Sequence, residues 1–159
     1  MDEQTKKARK KALDLLTDRD RSVHELTEKL QKAGFEEEEV RDAIAYVESF
    51  GYLDDKKYAL HYINFYRQSR SDKRLEFDLI KKGIDKSVIS QAFEEAGEQD
   101  QKPLIRELLR KKMAHMKGDP EENRQKLAAA MLRKGFRMGD ILTVLNELKL
   151  EEKYDLEEG

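Results

Sequence analysis

Three observations predict an all-α fold: three tandem three-helix repeats forming an elongated, curved array. Charged residues make up 42% of the 159 residues, and only eight Gly and two Pro interrupt them. Such a composition, rich in Lys, Glu, Leu, Ala and Arg, belongs to helices. A glycine followed by a bulky apolar residue recurs at Gly34-Phe35, Gly83-Ile84 and Gly135-Phe136, with spacings of 49 and 52 residues. That period lies in the range of repeat proteins. Finally, the residues flanking the three glycines agree in character, and no β-branched run alternates long enough to demand a strand.

Each repeat follows the same order. A first helix is predicted over about Thr5 to Asp18, Asp55 to Ser69 and Pro103 to Lys117. Ala12, Leu15 and Leu16 face inward in the first of these, and Leu104, Leu108, Leu109 and Met113 in the third. Twelve residues before the glycines stand Ser22, Ser71 and Asn123, all good N-cap types. Ser22 with Glu25 makes a capping box. Asp119-Pro120 offers an alternative cap, so the second helix of the third repeat can start a turn early. Apolar residues follow at eight before (Leu26, Leu75, Leu127) and four before (Leu30, Leu79, Met131), which is one helical stripe. The glycine then ends the helix in the left-handed conformation. A third helix carries its stripe at six, ten and thirteen after: Val40, Ile44, Val47; Ile89, Phe93, Ala96; Ile141, Leu145, Leu148.

The repeats are predicted to occupy 1–51, 52–97 and 98–150, followed by an acidic tail, 151–159, expected to be disordered. Hinges are expected near Phe50-Gly51-Tyr52 and Ala96-Gly97-Glu98. A unit of this size is marginal alone and gains stability by stacking on its neighbour.

Several function classes are excluded by what is missing. With no cysteine there is no disulfide framework and no thiolate metal site. His24, His61 and His115 are scattered and form no metal-ligand pair. No phosphate loop, dinucleotide fingerprint, nucleophile elbow or metalloprotease motif occurs. The chain is therefore expected not to be an enzyme and to need no cofactor or metal. The charged N-terminus lacks the apolar stretch of a signal peptide, and no segment approaches the roughly 18 apolar residues of a membrane span. The expected location is the cytoplasm, the expected state a monomer.

Net charge is −2 overall, but it is unevenly spread: −3 over 1–51, +1 over 52–97, +4 over 98–150 and −4 over the tail. A basic C-terminal third suits an anionic partner. Candidate partner or DNA contacts are Lys73 and Arg74, Lys81 and Lys82, Arg110 and Lys111, Arg133 and Lys134, and Arg137. Cations at a helix C-terminus complement its dipole, which accounts for Lys81-Lys82 and Arg133-Lys134. Lys73 and Arg74 instead sit at a helix start, where the dipole disfavours them, with Asp78 one turn on to pair Arg74. They are the stronger functional candidates. Sequence-specific DNA reading is disfavoured, because the third helix of the first repeat opens with Glu36 to Glu39. The aromatic spacing Tyr58, Tyr62, Phe65 and Tyr66 is that of a core stripe.

The segment Phe50-Gly51-Tyr52-Leu53-Asp54-Asp55, followed by Tyr58-Ala59, resembles the most recognisable motif of the RecX family of regulators of the RecA recombinase. Lys73-Arg74-Leu75 through Lys81-Lys82-Gly83-Ile84-Asp85 is similar to a second family segment. Lys126-Leu127 through Arg133-Lys134-Gly135-Phe136 and Ser22 through Gly34-Phe35 resemble its closing and opening repeats. Arg70-Ser71-Asp72 stands where the family often carries glycine. The resemblance implies a protein that lodges in the groove of the RecA–DNA filament. It would thereby inhibit recombinase, ATPase and co-protease activities, with consequences for DNA repair, recombination and the SOS response. Two other readings share the fold: a protein binding single- or double-stranded DNA non-specifically, and a helical adaptor for another protein.

Overall fold

The computed structural model describes the backbone of residues 1–158 and the side chains of residues 1–149. Its helices are α1 (Glu3–Asp18), α2 (Val23–Lys32), α3 (Glu37–Ser49), α4 (Asp55–Tyr66), α5 (Asp72–Lys81), α6 (Lys86–Ala96), α7 (Lys102–Met113), α8 (Pro120–Arg133) and α9 (Met138–Glu158). They form three successive triplets, and among the described residues there is no strand. No described helix is long and apolar enough to cross a membrane.

The chain forms two compact units. One comprises Met1–Phe65 with Glu76–Gly97, the other Tyr66–Leu75 with the chain from Glu98 onward. The division runs through α5, whose first residues belong to the second unit and whose last belong to the first.

In the first unit, α1, α2 and α3 pack on one another around Ala8, Ala12, Leu26, Leu30, Val40, Ala43, Val47 and Leu53. In the second, α7, α8 and α9 do the same around Ile105, Leu109, Leu127, Met131, Phe136, Ile141, Val144 and Leu148. The columns eight and four before each glycine are buried in all three repeats. The column at six after is buried too, while at ten after Ile44 and Phe93 are half-buried. A column nine after, Ala43, Ala92 and Val144, is fully buried in every repeat. In α7 the innermost residues are Ile105 and Leu109, with Leu104, Leu108 and Met113 packed partly buried against them.

The glycine turns close as expected. Gly34, Gly83 and Gly135 have φ of 93°, 79° and 98°. The next residue's N–H donates back to the last leucine or methionine carbonyl: Phe35 to Leu30, Ile84 to Leu79 and Phe136 to Met131, at 3.2–3.3 Å. That six-to-one bond satisfies a carbonyl the helix end leaves open. Ser22 forms its capping box with Glu25.

Three expectations require correction. α4 ends at Tyr66 rather than Ser69, because the Ser69 and Arg70 N–H groups both turn back onto the Tyr66 carbonyl. α7 ends at Met113 rather than Lys117, where the Met116 N–H closes a turn on the Met113 carbonyl. The aromatic stripe of α4 is not core: Ala59 and Ile63 are its buried residues. Tyr58 and Tyr62 lie half-buried, and Phe65 is 71% exposed. The helical backbone of α9 extends to Glu158, through part of the acidic run 151–159. The side chains there lie outside the described residues. α8 does start a turn early, with Asp119 accepting from the Glu121 N–H at 3.1 Å.

Candidate functional site: the glycine junctions and their basic surface

Two interlocks of the same design organise the polar surface. Within the first unit, the Ser22 hydroxyl donates to the Lys82 carbonyl at 2.7 Å while accepting from the Glu25 N–H at 3.1 Å. Within the second, the Ser71 hydroxyl donates to the Lys134 carbonyl at 2.5 Å while accepting from the Arg74 N–H at 3.1 Å. One serine thus caps a helix and holds the residue just before a glycine some sixty positions on, at separations of 60 and 63. The glycine completes each junction. A Cβ on Gly83 would lie 2.3 Å from His24 Cβ, and one on Gly135 would lie 2.7 Å from Ser71 Oγ and 3.0 Å from Lys73 Cβ. At Gly34 the same construction meets nothing within 4 Å. Glycine is therefore needed twice over at residues 83 and 135, for its positive φ and for close approach.

The motif at Gly51–Asp55 is a second structural joint. Tyr52 N–H closes the end of α3 on the Val47 carbonyl at 3.1 Å, and Leu53 is buried. Asp54 caps α4, accepting from the N–H groups of Lys56 and Lys57 at 3.0 and 3.2 Å. Asp55 accepts from the Val23 N–H, the first residue of α2, at 2.8 Å. Burial raises the Asp55 pKa; the Val23 N–H opposes this, and Asp54, Asp85 and Glu25 reinforce it. Both aspartates of the motif are thus spent on helix N-termini.

The junction of the second unit gathers several of the predicted basic residues. Ser69, Arg70, Ser71, Arg74, Leu108, Lys134 and Phe136 line a shallow depression of about 180 Å³. Lys73 stands at its edge, its Cβ against Gly135. Arg74, Lys73 and Lys134 are exposed, and the Arg70 guanidinium lies over the Tyr66 ring at 4.0 Å. Arg67 is buried and bound to Asp72 at 3.1 and 3.2 Å, and Gln101 also donates to Asp72 at 2.9 Å. Asp72 so answers the unfavourable placing of cations at the start of α5.

The other predicted residues are placed differently. Lys81 and Lys82 belong to the first unit. Lys81 lies 4.7 Å over the Phe77 ring, and Lys82 lies 5.6 Å over Tyr62 and 3.9 Å from Glu25. Asp78 accepts from the Tyr62 hydroxyl at 3.0 Å. Arg110 and Lys111 close α7, Lys111 pairing with Glu107 at 3.2 Å. Arg133 ends α8, and the Arg137 carbonyl accepts the Ile141 N–H at the start of α9. None of these lines the depression. Arg70 belongs to the cluster but has no sequence signal, since nothing in a loop arginine reveals which turn it meets.

The fold and this surface define a class first: a tandem three-helix repeat protein, with serine–glycine junctions and basic side chains outside one of them. Comparison with known proteins narrows it. Residues 8–46 match the first three-helix domain of RecX and residues 100–145 its third. Regulatory protein RecX of Amycolatopsis mediterranei (strain U-32) is 30% identical over 149 residues, covering 92% of this chain and 85% of that protein. The namesake from Chlorobium phaeobacteroides (strain BS1) is 28% identical over 153 residues and is covered to 97%. The one from Oceanobacillus iheyensis is 28% identical, and the chain spans about half, 53%, of its length. The crystal structure of RecX from Lactobacillus salivarius superposes with a TM-score of 0.80 at 24% identity, covering 92% of this chain and 97% of that one. The chain belongs to the RecX family, a family of regulatory proteins.

Proposed function

We infer that this chain binds the RecA–DNA filament and restrains its recombinase, ATPase and co-protease activities. Family membership supports the partner. The observation that carries the reading to particular residues is the convergence of Arg70, Lys73, Arg74 and Lys134 on the Ser71 junction. A filament that carries DNA presents a dense anionic backbone, and a cationic surface on a rigid turn is what such a partner attracts. The junction fixes these cations from both sides: Arg74 through its backbone bond to Ser71, and Lys134 through its carbonyl.

The test is sedimentation of this chain with RecA filaments on single-stranded DNA. Lys73→Glu with Arg74→Glu is expected to weaken co-sedimentation by roughly tenfold or more. Both side chains are exposed, so helical content and melting should not change. Unchanged affinity would remove this surface from the account. Tight binding to DNA without RecA, falling steeply with salt, would favour a DNA-binding protein instead.

A further inference from the structure

The first unit contains a groove of about 650 Å³ between the C-terminal half of α1 and the Gly51 turn with the start of α4. Leu16 and Tyr52 give it apolar walls; Arg21 and Lys57 bring cations, and Asp20 and Asp54 bring acids. Arg21 stands out among them. Its side chain is only 5% exposed, although arginine is almost never buried unless fully paired. Its Nε donates to the Leu15 carbonyl and its Nη2 to Asp18, both at 3.2 Å. Its Nη1 is buried and has no hydrogen-bond partner among the described residues.

A buried charged donor left without an acceptor is costly, and a guanidinium edge is shaped for a carboxylate. Asp18 is 72% exposed, so its single bond to Nη2 exchanges readily for an incoming carboxylate, and a small swing of the guanidinium into the groove brings the buried Nη1 to that carboxylate's second oxygen. We propose that this groove seats an acidic side chain of a polypeptide partner, its carboxylate on Arg21 and Lys57 and a neighbouring apolar side chain on Leu16 and Tyr52. The charge pattern selects a polypeptide over nucleic acid. Asp18, Asp20 and Asp54 surround the cations, and residues 1–51 carry a net −3, which repels a polyphosphate chain. A peptide can place a cation beside its acid and meet Asp20 and Asp54 as well.

The experiment uses the full chain alone, so its result stands apart from the RecA reading. The blocked tripeptide N-acetyl-Glu-Leu-Lys-amide is titrated while the NMR signals of the Arg21 side chain and the Tyr52 amide are followed. Saturable shifts are expected, with the Gln-Leu-Lys counterpart binding at least about tenfold more weakly. Lys57→Glu, at an exposed position, should abolish the response. Arg21→Lys keeps a charge but loses the fork, and should weaken it. The proposal is overturned by an absence of shifts, by equal binding of the Gln peptide, or by an unaltered response in both variants. It is also overturned if a short oligothymidylate moves the same signals more strongly.

Discussion

Substituting alanine at Gly83 and at Gly34 separates two contributions that the sequence merges. Both glycines end a helix with positive φ, 79° and 93°, so either alanine incurs the left-handed strain, about 1–2 kcal/mol. Only Gly83 is also a contact point: its Cβ would stand 2.3 Å from the Cβ and Cγ of His24, whereas nothing lies within 4 Å of that atom at Gly34. The atoms met are at the base of the His24 side chain, so the clash cannot be relieved by a rotamer change alone. Overpacking of this kind adds about 1–3 kcal/mol. Gly34→Ala should therefore lower stability by about 1–2 kcal/mol, and Gly83→Ala by about 2–5 kcal/mol. Urea unfolding followed by far-ultraviolet circular dichroism measures both. His24→Ala in the Gly83→Ala background should restore part of the difference, since the Cγ contact disappears and the Cβ contact remains. Equal losses at the two glycines, with no coupling to His24, would refute the packed junction.

Other predictions follow from single groups. Ser71→Ala removes both a helix cap and the bond to the Lys134 carbonyl, and should cost about 1–3 kcal/mol in the same unfolding assay. A loss below a few tenths would mean the bond contributes nothing. Asp55 is part-buried with its pKa raised, so the folded state binds its proton more readily than the unfolded chain. Its contribution to stability therefore grows as pH falls through the raised value towards the ordinary carboxylate range, and is lost as pH rises through it. Asp55→Asn, whose amide oxygen still accepts the Val23 N–H, should match or exceed the wild type at neutral pH. That advantage should shrink on acidification; unfolding curves at several pH values that stay parallel would contradict it.

Much of the fold is legible in the sequence because glycine caps and leucine stripes are strong local signals. The column Ala43, Ala92 and Val144 escapes notice because two of its members are alanines, which bury fully with little hydropathy signal. The stripe of α4 misleads for the related reason that Tyr58, Tyr62 and Phe65 outweigh Ala59 and Ile63 in apparent hydrophobicity. The site is less legible. Ser71 reads as a cap, and its second bond, to Lys134, joins residues 63 positions apart. Lys73 and Arg74 are legible in the sequence as cations at a helix start. Their grouping with Arg70 and Lys134 needs the tertiary turn. Arg21 reads as one more surface charge until its burial is seen.

The proposed regulation of RecA is tested most directly by ATP hydrolysis by RecA on single-stranded DNA as this chain is titrated in. Inhibition is expected at amounts well below one copy per RecA, since a ligand on a filament acts on many protomers at once. Undiminished hydrolysis at stoichiometric amounts, with filaments intact by electron microscopy, would contradict it.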